Sequence, residues 1–169
     1  NMIRFDSQRR SGPSELVNIY LSWPELDGYT TANRQRFSNP AGSQDIVFVE
    51  FSQSVMSRDM SGRLEPIYKH LFKGEPEPGP SGLILHRLDP KSGFGKDVIL
   101  TGMTKTADLY VVRCLLPETR QEASSADCQR DIHVGHDLTV LYRFSSTLLP
   151  QWEALDTRLK AFAETHVRN

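Results

Sequence analysis

Two periodicities organise the chain. From Asp137 to Phe144 the residues alternate, with Leu138, Val140, Tyr142 and Phe144 on one side and Asp137, Thr139 and Arg143 on the other; Leu141 is the one apolar exception. Period two marks a strand buried on one face. Past Ser145-Ser146-Thr147 the period lengthens. Leu148, Trp152, Leu155, Leu159, Phe162 and Ala163 follow helical spacing, with Gln151, Glu153, Lys160 and Glu164 opposite. Ser146 or Thr147 can cap this helix, and Pro150 falls in its first turn, where a missing N–H costs nothing. The spacing predicts a helix to about Val167. A half-buried strand feeding a long amphipathic helix needs a sheet to lie on.

Upstream, Leu16–Trp23 alternates with Val17, Ile19, Leu21 and Trp23 on one side, and Pro24 stops it. Asp45–Phe51 has apolar residues on both faces, as a central strand would. Leu83–Leu88 and Asp97–Thr101 read as a hairpin around the turn-rich Asp89–Lys96, and Asp108–Leu116 as a fifth strand. Between the first two strands lies a long excursion. It carries a turn at Asp27-Gly28, a helical turn or two within Thr31–Phe37, and a breaker at Asn39-Pro40-Ala41-Gly42. Arg63–Phe72 places Leu64, Ile67, Tyr68 and Leu71 at i, i+3, i+4 and i+7. That predicts a short helix capped by Ser61, with Pro66 in its first turn. Lys73–Gly82 is dense in Pro and Gly and reads as irregular.

The pattern as a whole predicts an α+β fold: a mainly antiparallel sheet of about six strands with the C-terminal helix packed on one face. A two-sheet β-sandwich with a flanking helix is the alternative. A break at the Pro/Gly-rich segment would leave each half below 100 of the 169 residues, so residues 15–169 are expected to form a single globular α+β domain. Residues 1–14, polar over Arg4–Ser14, read as a linker or a cloning-derived segment. With Asn at position 1, they suggest a signal peptide or a single membrane anchor further upstream.

Charge and cysteine content narrow the function. Lys and Arg total 20 against 21 Asp and Glu, and no basic stripe with interleaved aromatics occurs, which argues against nucleic acid as a partner. No apolar run approaches the roughly 20 residues that span a bilayer. The longest, Leu109–Leu116, is interrupted by Arg113. Cys114 and Cys128 flank the polar stretch Pro117–Asp127, and a disulfide between them would staple that loop. Such a pair points to an oxidising compartment, periplasmic or secreted.

Candidate chemistry is sparse. Cys128, Asp131, His133 and His136 lie within ten residues and could ligate a metal if Val134-Gly135 turns, but no second His or Cys cluster supplies a further ligand. His70, His86 and His166 are isolated. Ser92-Gly93-Phe94-Gly95-Lys96 resembles a phosphate loop only superficially: Pro90 stands where the first Gly belongs and Asp97 where Ser or Thr would hold the cation. No Gly-x-Ser-x-Gly elbow occurs, and Glu75 and Glu77 sit in the Pro-rich segment with nothing to desolvate them. Trp23, Tyr29 and Phe37 read as anchors of the first long loop or as an exposed binding patch.

The sequence therefore supports a non-catalytic extracytoplasmic domain, membrane-tethered through an upstream segment, that binds a protein or small ligand without a cofactor. Its rivals are a small metal-dependent hydrolase using Asp131, His133 and His136, and a small-molecule or lipid carrier.

Overall fold

The computed structural model describes residues 2–9, 12, 14–38 and 43–166. The breaker at 39–42 and the predicted helix end at Val167 lie outside the described residues. Among the described residues eight strands join one open antiparallel sheet: β1 (Leu16–Ser22), β2 (Ile46–Gln53), β3 (Glu77–Pro78), β4 (Ile84–Arg87), β5 (Val98–Met103), β6 (Leu109–Cys114), β7 (Cys128–Val134) and β8 (Leu138–Phe144). Their order is β1-β2-β8-β7-β6-β5-β4-β3. Strands β3 to β8 form an unbroken meander, and β8 then pairs with β2, opposing Val140 to Phe51.

The fold is α+β with an antiparallel sheet, as the pattern predicts. It has eight strands rather than about six, in one sheet rather than the two of a sandwich. The additional strands are β3, two residues within the Pro/Gly-dense segment, and β7. In β7 the inward row is Cys128, Arg130, Ile132 and Val134, all buried, and the arginine in that row hides the alternation.

The one-turn helix α1 (Arg34–Phe37) lies between β1 and β2, and helix α2 (Trp152–His166) covers one face of the sheet. Ser145, one residue earlier than predicted, accepts the capping bond from Thr147 N–H, and a 3-10 helix over Ser146–Gln151 contains Pro150 before α2 begins. Leu155, Leu159 and Ala163 are buried in one cluster with Val112, Ile132, Val140 and Phe144. Each leucine buried this way contributes about 1.5–3 kcal/mol. Close approach fixes one strand residue beneath the helix. A Cβ on Gly102 would lie 2.6 Å from Leu83 Cδ2 and 3.6 Å from the Trp152 ring. Gly102→Ala is therefore expected to destabilise by about 1–3 kcal/mol in urea unfolding, through overpacking. An unchanged midpoint would show that Leu83 swings aside freely.

Residues 54–76 connect β2 to β3 and must cross the sheet, which they do on its other face. There Met60, Leu64 and Tyr68 pack with Leu88, Ile99 and Val111. The helix predicted over Arg63–Phe72 forms only as turns and a 3-10 segment, Tyr68–Leu71. Pro66 has no N–H to give, and the amides of Ile67 and Tyr68 both donate to Arg63 C=O, so the i to i−4 ladder does not propagate. At the opposite edge, Ile3 bridges Ile19, Tyr20 N–H donates to Met2 C=O, and Arg4 N–H donates to Asn18 C=O. Part of the outer edge of β1 is thereby covered.

Candidate functional site

The meander is not uniformly paired. β7 and β8 share seven rungs and β5 and β6 share six, but β6 and β7 meet only at Arg113 opposite Gln129 and Cys114 opposite Cys128. At the second rung the cysteines form the expected disulfide. Beyond these rungs the ladder stops, and its backbone groups find other partners. Arg130 Nη1 donates to Val111 C=O at 2.8 Å and to Ser61 Oγ at 2.7 Å, and Ser61 Oγ donates to Leu109 C=O at 2.8 Å. The crossover and one arginine thus fill the seam, in keeping with the cost of leaving buried backbone polar groups unpaired.

Arg130 is only 5% exposed. Its Nε donates to Asp156 Oδ1 of α2 at 2.8 Å, and Tyr142 Oη donates to the same oxygen at 2.5 Å. The guanidinium also lies over the Tyr110 ring, 4.7 Å from its centroid. Burial works against its charge, but attraction to Tyr142, Asp156 and Tyr110 outweighs this and holds the pKa above the ordinary arginine value. Burial pushes the Tyr110 and Tyr142 hydroxyls well above the usual tyrosine range.

Tyr110 Oη is the one buried side-chain oxygen without a hydrogen bond among the described residues. Leaving a buried hydroxyl unpaired costs about 1–3 kcal/mol. Tyr110→Phe is accordingly expected to be as stable as the parent or about 1 kcal/mol more so at pH 7. The fold favours the neutral phenol, so its stabilisation is complete below the unfolded tyrosine pKa of about 10 and is lost as pH rises above it. The advantage of the variant should therefore widen above that pH in thermal melts. A loss of more than about 1 kcal/mol at neutral pH would show that the hydroxyl has a partner after all.

Where the seam opens, a cleft of about 670 Å³ lies between α2, the β5–β6 turn and the crossover. One wall is a helical stripe, Glu153, Asp156, Thr157, Lys160 and Glu164. Thr104, Thr106 and Asp108 form the facing wall, and Arg130 and Ser61 lie at its base. Arg130 Nη2 and Asp156 Oδ2 make no hydrogen bonds among the described residues, although the other atoms of both groups are committed.

The sequence candidates sit around this feature without converging. Asp131 and His133 alternate to the sheet face opposite Arg130, His133 nonetheless lines the cleft where the seam opens, and His136 is exposed in the turn between β7 and β8. Asp131 is held by Arg63 in a two-pronged ion pair, 2.5 and 3.2 Å. Cys128, being in the disulfide, has no thiolate to offer. Among the described residues no group of three or more His, Cys, Asp or Glu side chains is placed to hold a metal ion. His133 Nε2 does lie 3.1 Å from Ser54 Oγ, but that hydroxyl donates to Met56 C=O at 3.0 Å and so offers its proton to a carbonyl rather than to the imidazole. Trp23 is buried and donates through Nε1 to Gln151, while Tyr29 stays partly exposed against Phe37.

A second concavity, about 370 Å³, is apolar. It lies beside the C-terminal end of α2 among Val17, Phe51, Leu138 and Phe162. Pattern reasoning found neither concavity, since both arise where pairing or helix cover ends. The one available signal was an arginine in the inward row of a strand. No family model matches the chain, and no match was found among curated proteins or solved structures.

Proposed function

We propose that this domain is a non-catalytic, extracytoplasmic binding module, periplasmic or secreted, and that it takes a small polar ligand in the cleft at the β6–β7 seam. The observation that carries this reading is a buried arginine that lines a polar cavity, fixed by three hydrogen bonds at Nε and Nη1 while its Nη2 makes none among the described residues. The cavity has the size of a small-ligand site, and its lining, mainly polar and charged where such sites are commonly apolar, favours a polar ligand. The disulfide is compatible with an oxidising compartment. No described helix is long and apolar enough to cross a membrane. The membrane tether that belongs to this proposal rests on the sequence reading alone.

The test is a thermal-shift screen of the oxidised protein against amino acids, short peptides, sugars, polyamines and dicarboxylates, with product analysis by NMR. The reading expects one class to raise the melting temperature by several degrees and to be recovered unchanged. Finding no stabilising class, or finding a compound consumed, would overturn it. The apolar groove supports a second reading, a carrier of apolar small molecules or lipids. That reading expects stoichiometric displacement of a fluorescent fatty acid, and fails if the groove residues do not respond.

A further inference from the structure

We infer that the ligand of the cleft is a short, basic peptide in extended conformation. The inference rests on the binding-module reading and names its ligand class. Three observations converge on it. The first is the pair of open groups at the base. Arg130, nine-tenths buried and lining the cleft, carries at Nη2 a donor, and Asp156 beside it carries at Oδ2 an acceptor, neither of which makes a hydrogen bond among the described residues. A donor next to an acceptor is the complement of a peptide group, which offers a C=O to the first and an N–H to the second.

The second observation is charge. Arg130 and Asp156 neutralise each other as an ion pair at 2.8 Å. Of the remaining charged residues lining the cleft, Asp59, Asp108, Glu153 and Glu164 face Lys160 alone. The potential in the cleft is negative and favours ammonium or guanidinium side chains. The acidic residues would carry little by themselves, but here they surround a buried, oriented donor that a bare cation would leave unused.

The third is length. Glu153 and Glu164 are eleven residues apart on α2, about 16 Å along the axis at 1.5 Å per residue. An extended chain covers that distance in about five residues. Thr157 on the helix wall supplies a hydroxyl for a further backbone contact, whereas the hydroxyls of Thr104 and Thr106 are engaged with each other and with Asp108. A single amino acid would leave most of the 670 Å³ unfilled.

The experiment is calorimetric titration of the oxidised full chain with pentalysine, pentaalanine and spermine, repeated on the double variant Glu153→Gln, Glu164→Gln. Both positions lie on the wall of the cleft, and the amide keeps the acceptor that Lys105 N–H uses on Glu153. The inference expects one-to-one binding of pentalysine that weakens about fivefold or more in the double variant, the scale of two exposed ion pairs. Spermine should bind more weakly, and pentaalanine should not bind detectably. Equal affinity for spermine and pentalysine would overturn the peptide assignment, because amines alone would then suffice. Absence of pentalysine binding, or unchanged affinity in the variant, would also overturn it. If pentalysine fails while a neutral or anionic compound stabilises the protein in the screen, the ligand class is wrong and the binding-module reading stands. If nothing binds, both fall.

Discussion

Replacing Arg130 with methionine is expected to cost the fold about 3–5 kcal/mol, because it strands a carboxylate inside the protein. Asp156 accepts from both Arg130 and Tyr142 at one oxygen, and its side chain is only 15% exposed. Without the guanidinium that charge has no ion-pair partner among the described residues, and Val111 C=O and Ser61 Oγ lose their donor as well. A penalty from one broken ion pair should not add to a second one from the same pair. The double variant Arg130→Met, Asp156→Leu is therefore expected to recover much of the loss, as apolar replacements of buried pairs commonly do. Urea unfolding of the two single variants and the double variant decides the matter. A single variant within about 1 kcal/mol of the parent would mean that water enters the seam and solvates Asp156.

Removing the disulfide should have the second largest effect. Cys114 and Cys128 are 14 residues apart in sequence, and closing a loop of about that length stabilises by roughly 3 kcal/mol through the unfolded state. Its position adds a consequence that loop entropy does not capture. The cysteines occupy one of only two rungs that join β6 to β7. On one side of this seam stand β1, β2, β8 and β7, and on the other β6, β5, β4 and β3. The double variant Cys114→Ala, Cys128→Ala is expected to lose about 3 kcal/mol and to exchange the amide protons of β6 faster than those of β8. A loss below about 1 kcal/mol with uniform exchange would show that the crossover and Arg130 hold the seam without it.

The two effects also explain what could be read from the sequence and what could not. β8 and α2 were legible because each repeats a single period for long enough to be seen, from Leu138 to Phe144 and from Trp152 onward. The disulfide was legible because a loop without apolar period separated two cysteines at strand ends. β7 was not legible, for a definite reason. Its inward row contains Arg130, whose burial depends on Asp156, Tyr142, Ser61 and a carbonyl of β6, all distant in sequence. Local pattern treats such an arginine as exposed and the strand as loop, and the residues next to it, Asp131 and His133, then look like candidate ligands. The same blindness hid the cleft. A seam that opens is a property of two strands and a crossover together, and no stretch of the chain records it alone. The short helix at 63–72 failed from the other direction: an apolar period was present, but Pro66 withheld the amide that would have continued it.

The central claim is that the opened seam, not the apolar groove or the histidine-bearing turn, is where this protein binds. Amide chemical-shift mapping of the oxidised protein with its strongest ligand tests it most directly. The account predicts that shifts concentrate at Gly62, Thr106, Thr157 and Lys160, which line the cleft, while Val17 and Phe51 in the apolar groove and His136 in the turn stay still. Shifts confined to Val17, Phe51 and Phe162 would contradict it and make the groove the binding site.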